Sequence, residues 1–372
     1  MAGRRVVIAG GGTGGHLYPG IAIARELLER DPQATVSFAG TARGIESRVI
    51  PLEGFALDLL RSAGLKGNSG LAVLRGLALL PLSAMDAWRI LSRRQPQVVI
   101  GVGGYSSGPV VLLAALRRIP TLLAEQNAVP GLTNRLLSWV VSAAAVSFES
   151  TVSYFGRRGF VAGNPVRREF FEPSDGEPRR LEPGKARVLV FGGSQGAHAI
   201  NLAMVAAAPR LAADGGVEVT HQTGERDVEL VRNAYRDAGL PARVEPFLYA
   251  MHREMTEADV IVARAGATTI AELTAAGRAA ILVPLPTATD DHQKKNAEVL
   301  ARAGAAEVIE QQDLTGPGLA ERLLALTHDP EGRARIAAAA RRFARPDAAR
   351  TIVDRALALC RGSGGRSEAD AC

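Results

Sequence analysis

Hydrophobic runs that end in glycine clusters recur three times along the chain. Each run has the length of a strand, and a segment with helical spacing of apolar positions follows it. The three are RVVIAGGGTGG at residues 5–15, VVIGVGGYSSG at 98–108 and RVLVFGGSQG at 187–196. This alternation is typical of doubly wound parallel α/β sheets, whose loops bind ligands at the carboxyl ends of the strands.

Shorter apolar runs extend the pattern on both sides of a polar stretch. Residues 163–185 read GNPVRREFFEPSDGEPRRLEPGK, where proline, glycine and charge replace periodicity, as in a linker. The strand candidates lie near Val6, Val36, Val98, Thr121 and Ala145, and then near Val188, Val217, Val244, Val260 and Ala280. We therefore expect two Rossmann-like domains, at 1–163 and 186–345, joined by a linker at 164–185.

The C-terminal part is rich in alanine and arginine, with helical spacing over residues 333–359 that is interrupted at Pro346. A terminal helix at about 346–360 is expected, placed so that it can pack back on the first domain. The tail at 361–372 has no apolar periodicity, and we expect it to be disordered.

Composition agrees with this plan. A chain of 372 residues exceeds the usual single domain of about 100–200 residues, and 47% hydrophobic residues suffice for two cores. The two cysteines, Cys360 and Cys372, lie near the C-terminus, which favours a reducing compartment over a disulfide framework. Because no apolar stretch reaches the ~18 residues of a membrane span, we expect a cytoplasmic protein or one that lies on a membrane.

The net charge of +6 suggests an anionic partner, and the positions of the basic residues indicate which kind of partner it is. Residues 61–94 combine many apolar side chains with six basic residues and one acid: Arg61, Lys66, Arg75, Arg89, Arg93, Arg94 and Asp86. Apolar side chains beside cations suit docking on anionic lipids, although a buried helix with a charged outer face has the same pattern. Aromatic platforms and nucleic-acid modules are lacking, so no nucleic acid is expected as a partner.

The first glycine cluster, residues 10–15, is suited to phosphate because glycines allow close backbone approach and a helix N-terminus follows. Its spacing also fits the GxGxxG dinucleotide fingerprint, which requires an acidic residue about twenty residues later. The second strand instead ends in Gly40 and Thr41, which disfavours NAD. His16 lies where a neutral imidazole can act as a general base beside bound phosphate, or can cap the helix.

The second half repeats the phosphate-binding pattern. GGSQG at 192–196 precedes one helix, and small residues at 266–269 begin another that carries Glu272 one turn later. A helix N-terminus can hold a diphosphate while a carboxylate binds ribose hydroxyls, although Glu272 could also complete a helix cap. Asp290 and Asp291 begin a polar loop, but scattered histidines and the lack of a further acidic cluster argue against a bound metal.

Seven motifs follow one another along the chain: GGGTGGH, GGYSSGP, EQNAVPGLTN, GNPVR, GGSQGA, RAGATTIAE and DDHQKKNA. In this order and spacing they resemble one family, the MurG glycosyltransferases, which add N-acetylglucosamine to undecaprenyl-pyrophosphoryl-MurNAc-pentapeptide in peptidoglycan synthesis. The resemblance spans about residues 5–345.

The resemblance implies a GT-B fold: two Rossmann-like domains facing across a cleft, with the acceptor bound by the N-terminal domain and the UDP-sugar mainly by the C-terminal one. It places Thr13, Gly14, Gly15 and Asn127 near the donor sugar and the acceptor. For the donor it implies Arg167, Ser194, Leu248 at the uracil, Glu272 at the ribose and Gln293 at the sugar hydroxyls. Ala267, Thr268 and Thr269 are expected to bind the donor because they lie at the helix start suited to a diphosphate.

The implied reaction is inverting transfer from UDP-GlcNAc to the 4-hydroxyl of the lipid-linked MurNAc, with no metal and no cofactor. Another GT-B enzyme with a different lipid acceptor is the alternative. The implied location is peripheral, at the cytoplasmic face of the inner membrane, which is compatible with other cell-wall synthesis proteins as partners.

One position departs from the family pattern. A histidine commonly precedes the EQN motif, whereas this chain has Ala124 before Glu125. This departure directs attention to His16 and Glu125 as candidates for the catalytic base.

Overall fold

Two α/β units make up the chain. The structure is a computed structural model that describes residues 3–42, 44–61, 70–171, 184–193 and 195–364. Unit 1 comprises Met1–Val166 and Arg345–Cys372, and unit 2 comprises Arg167–Ala344. Each unit contains one parallel sheet with helices, so the predicted α/β class with two Rossmann-like domains is confirmed.

Unit 1 is built on a seven-stranded parallel sheet with the strand order β3-β2-β1-β4-β5-β6-β7. Its strands are β1 (Arg5–Gly10), β2 (Thr35–Gly40), β3 (Ala56–Leu59), β4 (Val98–Gly103), β5 (Thr121–Glu125), β6 (Ala143–Val146) and β7 (Gly159–Val161). Its helices are α1 (Gly14–Arg30), α2 (Glu46–Leu52), α3 (Gly70–Arg94), α4 (Ser107–Leu116) and α5 (Leu132–Leu137), followed by a C-terminal helix. The strand order reverses between β1 and β4, so the loops after these strands meet at the switch point where such sheets bind ligands.

Both faces of this sheet are covered, because side chains alternate along each strand. Val6 and Ile8 of β1 lie in one buried cluster, and Val7 and Ala9 lie in the other. Burying a Val or Ile side chain contributes about 1.5–3 kcal/mol, so β1 is anchored from both sides. Its carboxyl end therefore gives the first glycine cluster a fixed starting point.

Unit 2 has a six-stranded parallel sheet with the strand order β10-β9-β8-β11-β12-β13. Its strands are β8 (Ala186–Phe191), β9 (Val217–Gln222), β10 (Ala242–Glu245), β11 (Val260–Ala263), β12 (Ala279–Leu282) and β13 (Glu307–Val308). Its helices are α6 (His198–Asp214), α7 (Val228–Ala238), α8 (Met251–Glu257), α9 (Ala267–Ala276), α10 (His292–Arg302), α11 (Gly316–His328) and α12 (Pro330–Arg341). Here the order reverses between β8 and β11, which brings together the loops that lead into α6 and α9.

The C-terminal helix α13 (Ala348–Gly364) belongs to unit 1. Ile352, Val353 and Ala356 are buried in the same cluster as Val6 and Ile8. The chain thus returns to its first sheet after completing the second. Residues 361–364 continue this helix, which corrects the expected start of a disordered tail at 361, and residues 365–372 lie outside the described residues.

The predicted linker at 164–185 is only partly described, since residues 172–183 lie outside the described residues. Its first part is folded: Asn164 is 6% exposed, and Phe170, in a 3-10 turn at Arg168–Phe170, is 1% exposed. The boundary between the units falls earlier, between Val166 and Arg167. No helix in the described part of the chain is long and apolar enough to cross a bilayer.

Candidate functional site

The glycine clusters after β1 and β4 pack against each other at the switch point of unit 1. Gly10 pairs with Gly103 in the sheet, and the Gly11 N–H donates to the Gly103 carbonyl over 3.3 Å. Gly104 has a φ of 83°, and a Cβ there would lie 2.5 Å from the Gly11 carbonyl oxygen. A side chain at this position would force the two loops apart.

His16 lies in the first turn of α1, against the second glycine cluster. Its Nδ1 is 3.2 Å from Oγ1 of Thr13, the N-cap residue, whose carbonyl accepts the His16 N–H. A Cβ at Gly103 would lie 2.7 Å from the ring Cδ2 and 3.0 Å from Nε2, so only glycine leaves room for the imidazole. The predicted residues Thr13, Gly14, Gly15 and His16 thus form one turn with an oriented ring.

Glu46 is a residue of this site that the sequence reasoning missed. Its side chain is buried, 1% exposed, beneath the first glycine cluster. Oε2 accepts the Gly12 N–H at 2.7 Å, and Oε1 accepts both the N–H and the hydroxyl of Thr41 at 2.9 Å. Desolvation opposes the charge of Glu46, but these hydrogen bonds from Gly12 and Thr41 hold its pKa below the ordinary value.

Glu125 ends β5 and is 3% exposed. Its Oε1 accepts the backbone and side-chain N–H groups of Asn127 at 3.0 and 3.2 Å, and its Oε2 accepts Gly131 N–H at 3.2 Å and Asn134 Nδ2 at 2.8 Å. Desolvation raises the pKa of Glu125, while the four N–H donors oppose that rise. The carboxylate holds the loop that carries the predicted residue Asn127, and this geometry favours a positioning role for Glu125 over the predicted role as a base.

Ala124, where the family pattern commonly has histidine, is part of the interior of unit 1. It is 3% exposed and pairs with Ala145 in the sheet. His16 is the one histidine among the residues of unit 1, because the other five of the chain's 6 histidines belong to unit 2. An imidazole for proton transfer in unit 1 can therefore come only from His16.

The phosphate-binding motif of unit 2 forms a loop between β8 and α6. Gly193 and Gly196 have φ values of 103° and 74°, and a Cβ at Gly196 would collide with the Thr223 carbonyl. Gln222, which the sequence reasoning missed, donates from Nε2 to the Gly193 carbonyl at 2.8 Å and accepts the Leu248 N–H at 3.1 Å. Gln222 therefore links this loop to the predicted uracil-binding position, whereas Ser194 lies outside the described residues.

Glu272 lies on α9, one turn after the helix start at Ala267, Thr268 and Thr269. Desolvation raises its pKa to about 7, and the positive charge of Arg167 opposes the rise. Arg167 is exposed, with its guanidinium carbon 5.3 Å from the centre of the Phe170 ring. Two predicted donor residues from distant parts of the sequence thus interact electrostatically within unit 2.

Arg264 connects the loops that follow β11 and β12. It is 8% exposed, and its Nη1 donates to the carbonyls of Val283 and Pro284 at 3.1 and 3.2 Å. In the second of these loops the Leu285 N–H donates to Oε1 of Gln293 at 3.0 Å, which orients the predicted sugar-binding amide. Arg264 was not predicted, although a lone arginine directly after an apolar run is a usable signal for such a residue.

Asp290 and Asp291 have positive φ values of 56° and 54°. Such a backbone costs about 1–3 kcal/mol per non-glycine residue and is often found at ligand-binding sites. The two residues form the turn before α10, the helix that carries Gln293, and Lys295 Nζ donates to the Asp290 carbonyl at 2.9 Å. Their conformation thus sets the direction from which Gln293 enters the site.

The basic segment at 61–94 is partly neutralised. Arg61 pairs with Asp86 at 2.7 Å, and Arg93 and Arg94 both pair with the buried Asp58. Lys66 and the side chain of Arg75 lie outside the described residues, as do the side chains of Leu71, Val73, Leu74 and Leu77. Ile90 is buried at 4% exposure, whereas Met85 and Trp88 are 43% and 54% exposed.

Comparisons with known proteins cover both units. Residues 6–146 match the glycosyltransferase family 28 N-terminal domain, and residues 187–352 match the glycosyltransferase family 28 C-terminal domain. A protein of Anaeromyxobacter sp. (strain K), named UDP-N-acetylglucosamine--N-acetylmuramyl-(pentapeptide) pyrophosphoryl-undecaprenol N-acetylglucosamine transferase, is 48% identical over 359 residues, 96% of this chain and 93% of the relative. The protein of that name in Geobacter sulfurreducens is 45% identical, over 96% of this chain and 99% of the relative.

Solved structures are similar to this chain over nearly its full length. The crystal structure of Acinetobacter baumannii MurG has a TM-score of 0.79 and 32% identity, covering 95% of this chain and 99% of that one. A UDP-GlcNAc 2-epimerase from Neisseria meningitidis, bound to UDP-GlcNAc, has a TM-score of 0.65 at 14% identity, covering 94% of this chain and 98% of that one. The second likeness concerns the fold alone.

Proposed function

The chain belongs to the MurG family of glycosyltransferases, and we propose that it transfers N-acetylglucosamine from UDP-GlcNAc to the 4-hydroxyl of MurNAc in undecaprenyl-pyrophosphoryl-MurNAc-pentapeptide. The observation that carries this proposal is the near full-length identity with relatives named for that transfer. The two phosphate-type loops, one in each unit, supply what a reaction between two diphosphate-bearing substrates requires.

Unit 2 binds the donor in this proposal. In it, the loop between β8 and α6 and the N-terminus of α9 bind the diphosphate, and Glu272 accepts hydrogen bonds from the ribose hydroxyls. Leu248 reads the uracil through its backbone, while Arg167, Ser194 and Gln293 contact the diphosphate and the sugar. Support comes from the fixed positions of Leu248 and Gln293, which Gln222 and the Leu285 N–H hold by hydrogen bonds.

Unit 1 binds the acceptor and removes its proton. The hydroxyl oxygen forms a bond to the anomeric carbon while the bond from that carbon to the UDP oxygen breaks, and inversion gives a β-linkage. His16 takes the hydroxyl proton, and UDP departs with the bonding electrons. Backbone N–H groups and helix N-termini stabilise the charge that builds up on UDP.

The direct test is product formation from radiolabelled UDP-GlcNAc and lipid-linked MurNAc-pentapeptide. We expect a labelled disaccharide lipid from the wild type with this acceptor, and none with polyprenyl phosphates that lack MurNAc. Transfer to the second kind of acceptor, or none to either, would contradict the proposal.

Replacing Glu272 with alanine is expected to weaken UDP-GlcNAc binding by about 10- to 100-fold, the value of hydrogen bonds to a charged group. The wild-type affinity should rise with pH between about 6 and 8, because a carboxyl group with a pKa near 7 gains its charge there and accepts hydroxyls better once ionised. Calorimetric titration of UDP-GlcNAc measures both effects. Glu229→Ala, at an exposed position of α7, is the control; a pH trend that survives in Glu272→Ala would exclude this role.

We also propose that unit 1 docks on anionic lipid at the cytoplasmic face of the inner membrane, where a lipid-linked acceptor resides. Helix α4 packs against both α3 and α5, and these helices and the residues just after α5 expose apolar side chains. They are Leu80, Met85, Trp88, Leu112, Leu116, Leu132, Leu136, Trp139 and Val140. Arg89 and Arg135 are exposed on α3 and α5, and Arg118 is exposed just after α4. Each basic residue near an anionic surface contributes about 1 kcal/mol.

Replacing both Leu136 and Trp139, which are 67% and 80% exposed, with serine is expected to reduce binding to phosphatidylglycerol vesicles by about tenfold or more. Wild-type binding should also weaken with added salt, because the arginine contribution is screened. Vesicle co-sedimentation measures both. Leu230→Ser, on unit 2, is the matched control; equal binding by the double variant and this control would refute the docking surface.

A further inference from the structure

The Glu46 carboxylate lies where doubly wound nucleotide-binding folds receive an anion. In the dinucleotide fingerprint the second glycine lets the backbone approach a pyrophosphate, and that glycine corresponds to Gly12 here. Its N–H is already bound at 2.7 Å by Glu46. Unit 1 therefore carries its own anion at this N–H.

The space around this carboxylate is shaped by glycines from three segments. A Cβ at Gly11 would lie 2.5 Å from the carboxyl carbon, and a Cβ at Gly40 would lie 2.7 Å from Cγ of Glu46. A Cβ at Gly44 would collide with the carboxylate oxygens. The first glycine cluster, the end of β2 and the start of α2 thus enclose one charged group. A surface acid that only caps a helix would not need to be enclosed in this way.

We propose that Glu46 is a positioning residue, an internal anion that fixes the loop before α1 and thereby the orientation of His16. Few contacts separate Glu46 from His16. Glu46 accepts the Gly12 N–H, the next residue Thr13 is the N-cap of α1, and Thr13 Oγ1 lies 3.2 Å from Nδ1 of His16. Since Glu46 lies in unit 1, it acts on the acceptor and on proton transfer, and leaves the donor loops of unit 2 unaffected. This inference rests on the proposed function for its kinetic consequences only.

The substitution Glu46→Gln removes the negative charge and keeps the shape of the side chain. The carboxylate accepts three hydrogen bonds, from Gly12 N–H, Thr41 N–H and the Thr41 hydroxyl. An amide has one oxygen, so its NH₂ group must face one of the two backbone N–H donors. Either Gly12 or Thr41 then loses its backbone bond to residue 46, and if Gly12 keeps its bond, that bond is weaker because the accepting oxygen is neutral.

For Glu46→Gln we expect the acceptor KM to rise and kcat to fall, each by about tenfold, while the UDP-GlcNAc KM stays within about twofold. Glu46→Asp keeps the charge but is too short for all three contacts, so its defect should have the same pattern. Glu53→Gln, at the C-cap of the same helix, weakens only a surface ion pair with Arg25 and should match the wild type. A rise in both KM values together would indicate general loosening, and a lower acceptor KM would indicate that Glu46 only repels the diphosphate; either result overturns the proposal.

Hydrogen exchange gives a readout that does not depend on turnover. In Glu46→Gln, amide exchange in the peptide covering residues 10–17 should accelerate by about tenfold or more, while peptides of unit 2 stay unchanged. If exchange is faster in Glu46→Gln but the wild type transfers no N-acetylglucosamine, this inference stands and the proposed function is refuted. If the wild type transfers N-acetylglucosamine but exchange in Glu46→Gln is unchanged, this inference alone is refuted.

Discussion

Replacing His16 with alanine is expected to lower kcat by about 10²- to 10⁴-fold, the usual contribution of a general base, with UDP-GlcNAc binding unchanged. The imidazole lies against Gly103, and in the tautomer with Nδ1 protonated it donates to Thr13 Oγ1, which makes Nε2 the basic nitrogen of the ring. Initial rates at saturating concentrations of both substrates measure kcat, and calorimetry measures donor binding.

His16→Asn separates the two roles open to this residue. The asparagine amide occupies nearly the position of Nδ1 and can restore the contact to Thr13, but it cannot accept a proton. If His16 only caps the helix or orders the loop, asparagine should recover most of the activity, and the base assignment is then wrong. His328→Ala, at a mostly exposed histidine of α11, controls for histidine loss in general.

Several central strands of both sheets were predictable because apolar residues fill all or most of their positions. The runs near Val36 and Val260 became β2 and β11, each flanked by other strands. Strands β3, β7 and β13 were not predicted. They have 4, 3 and 2 residues, each is partly exposed at or beside a sheet edge, and so short a run has no periodicity to separate it from a loop.

The loops that form the site were predictable for a similar reason: glycine clusters at strand ends are local signals. The side chains that hold these loops in place were not predictable. Glu46 lies 34 positions from its partner Gly12, and Gln222 lies 29 positions from Gly193. A single polar residue carries no sign of which distant N–H or carbonyl it will contact, so only the folded sheet reveals it.

Glu125 shows the limit of assigning roles by residue type. A glutamate in a motif next to a polar loop is a reasonable base on chemistry alone, and its burial raises the pKa in the direction that a base requires. Geometry argues against that role. Both oxygens already accept two N–H groups each, so a substrate proton would compete with four internal donors.

Replacing Glu125 with alanine is therefore expected to lower the free energy of unfolding of unit 1 by about 3–5 kcal/mol, because buried donors lose their acceptor. Glu125→Gln should cost about 1–3 kcal/mol, since its NH₂ must face at least one N–H group. Urea unfolding followed by tryptophan fluorescence measures this selectively, because both tryptophans of the chain, Trp88 and Trp139, lie in unit 1.

The same pair of variants decides between positioning and proton transfer. If Glu125 is a base that is not needed for folding, Glu125→Gln should lower kcat and keep wild-type stability. The exposed control Glu149→Gln should keep both wild-type kcat and wild-type stability. A positioning residue loses stability first, and its activity falls because Asn127 and the loop to Asn134 shift together. Wild-type stability in Glu125→Gln, combined with a loss of kcat as large as that of His16→Ala, would return the role of base to Glu125.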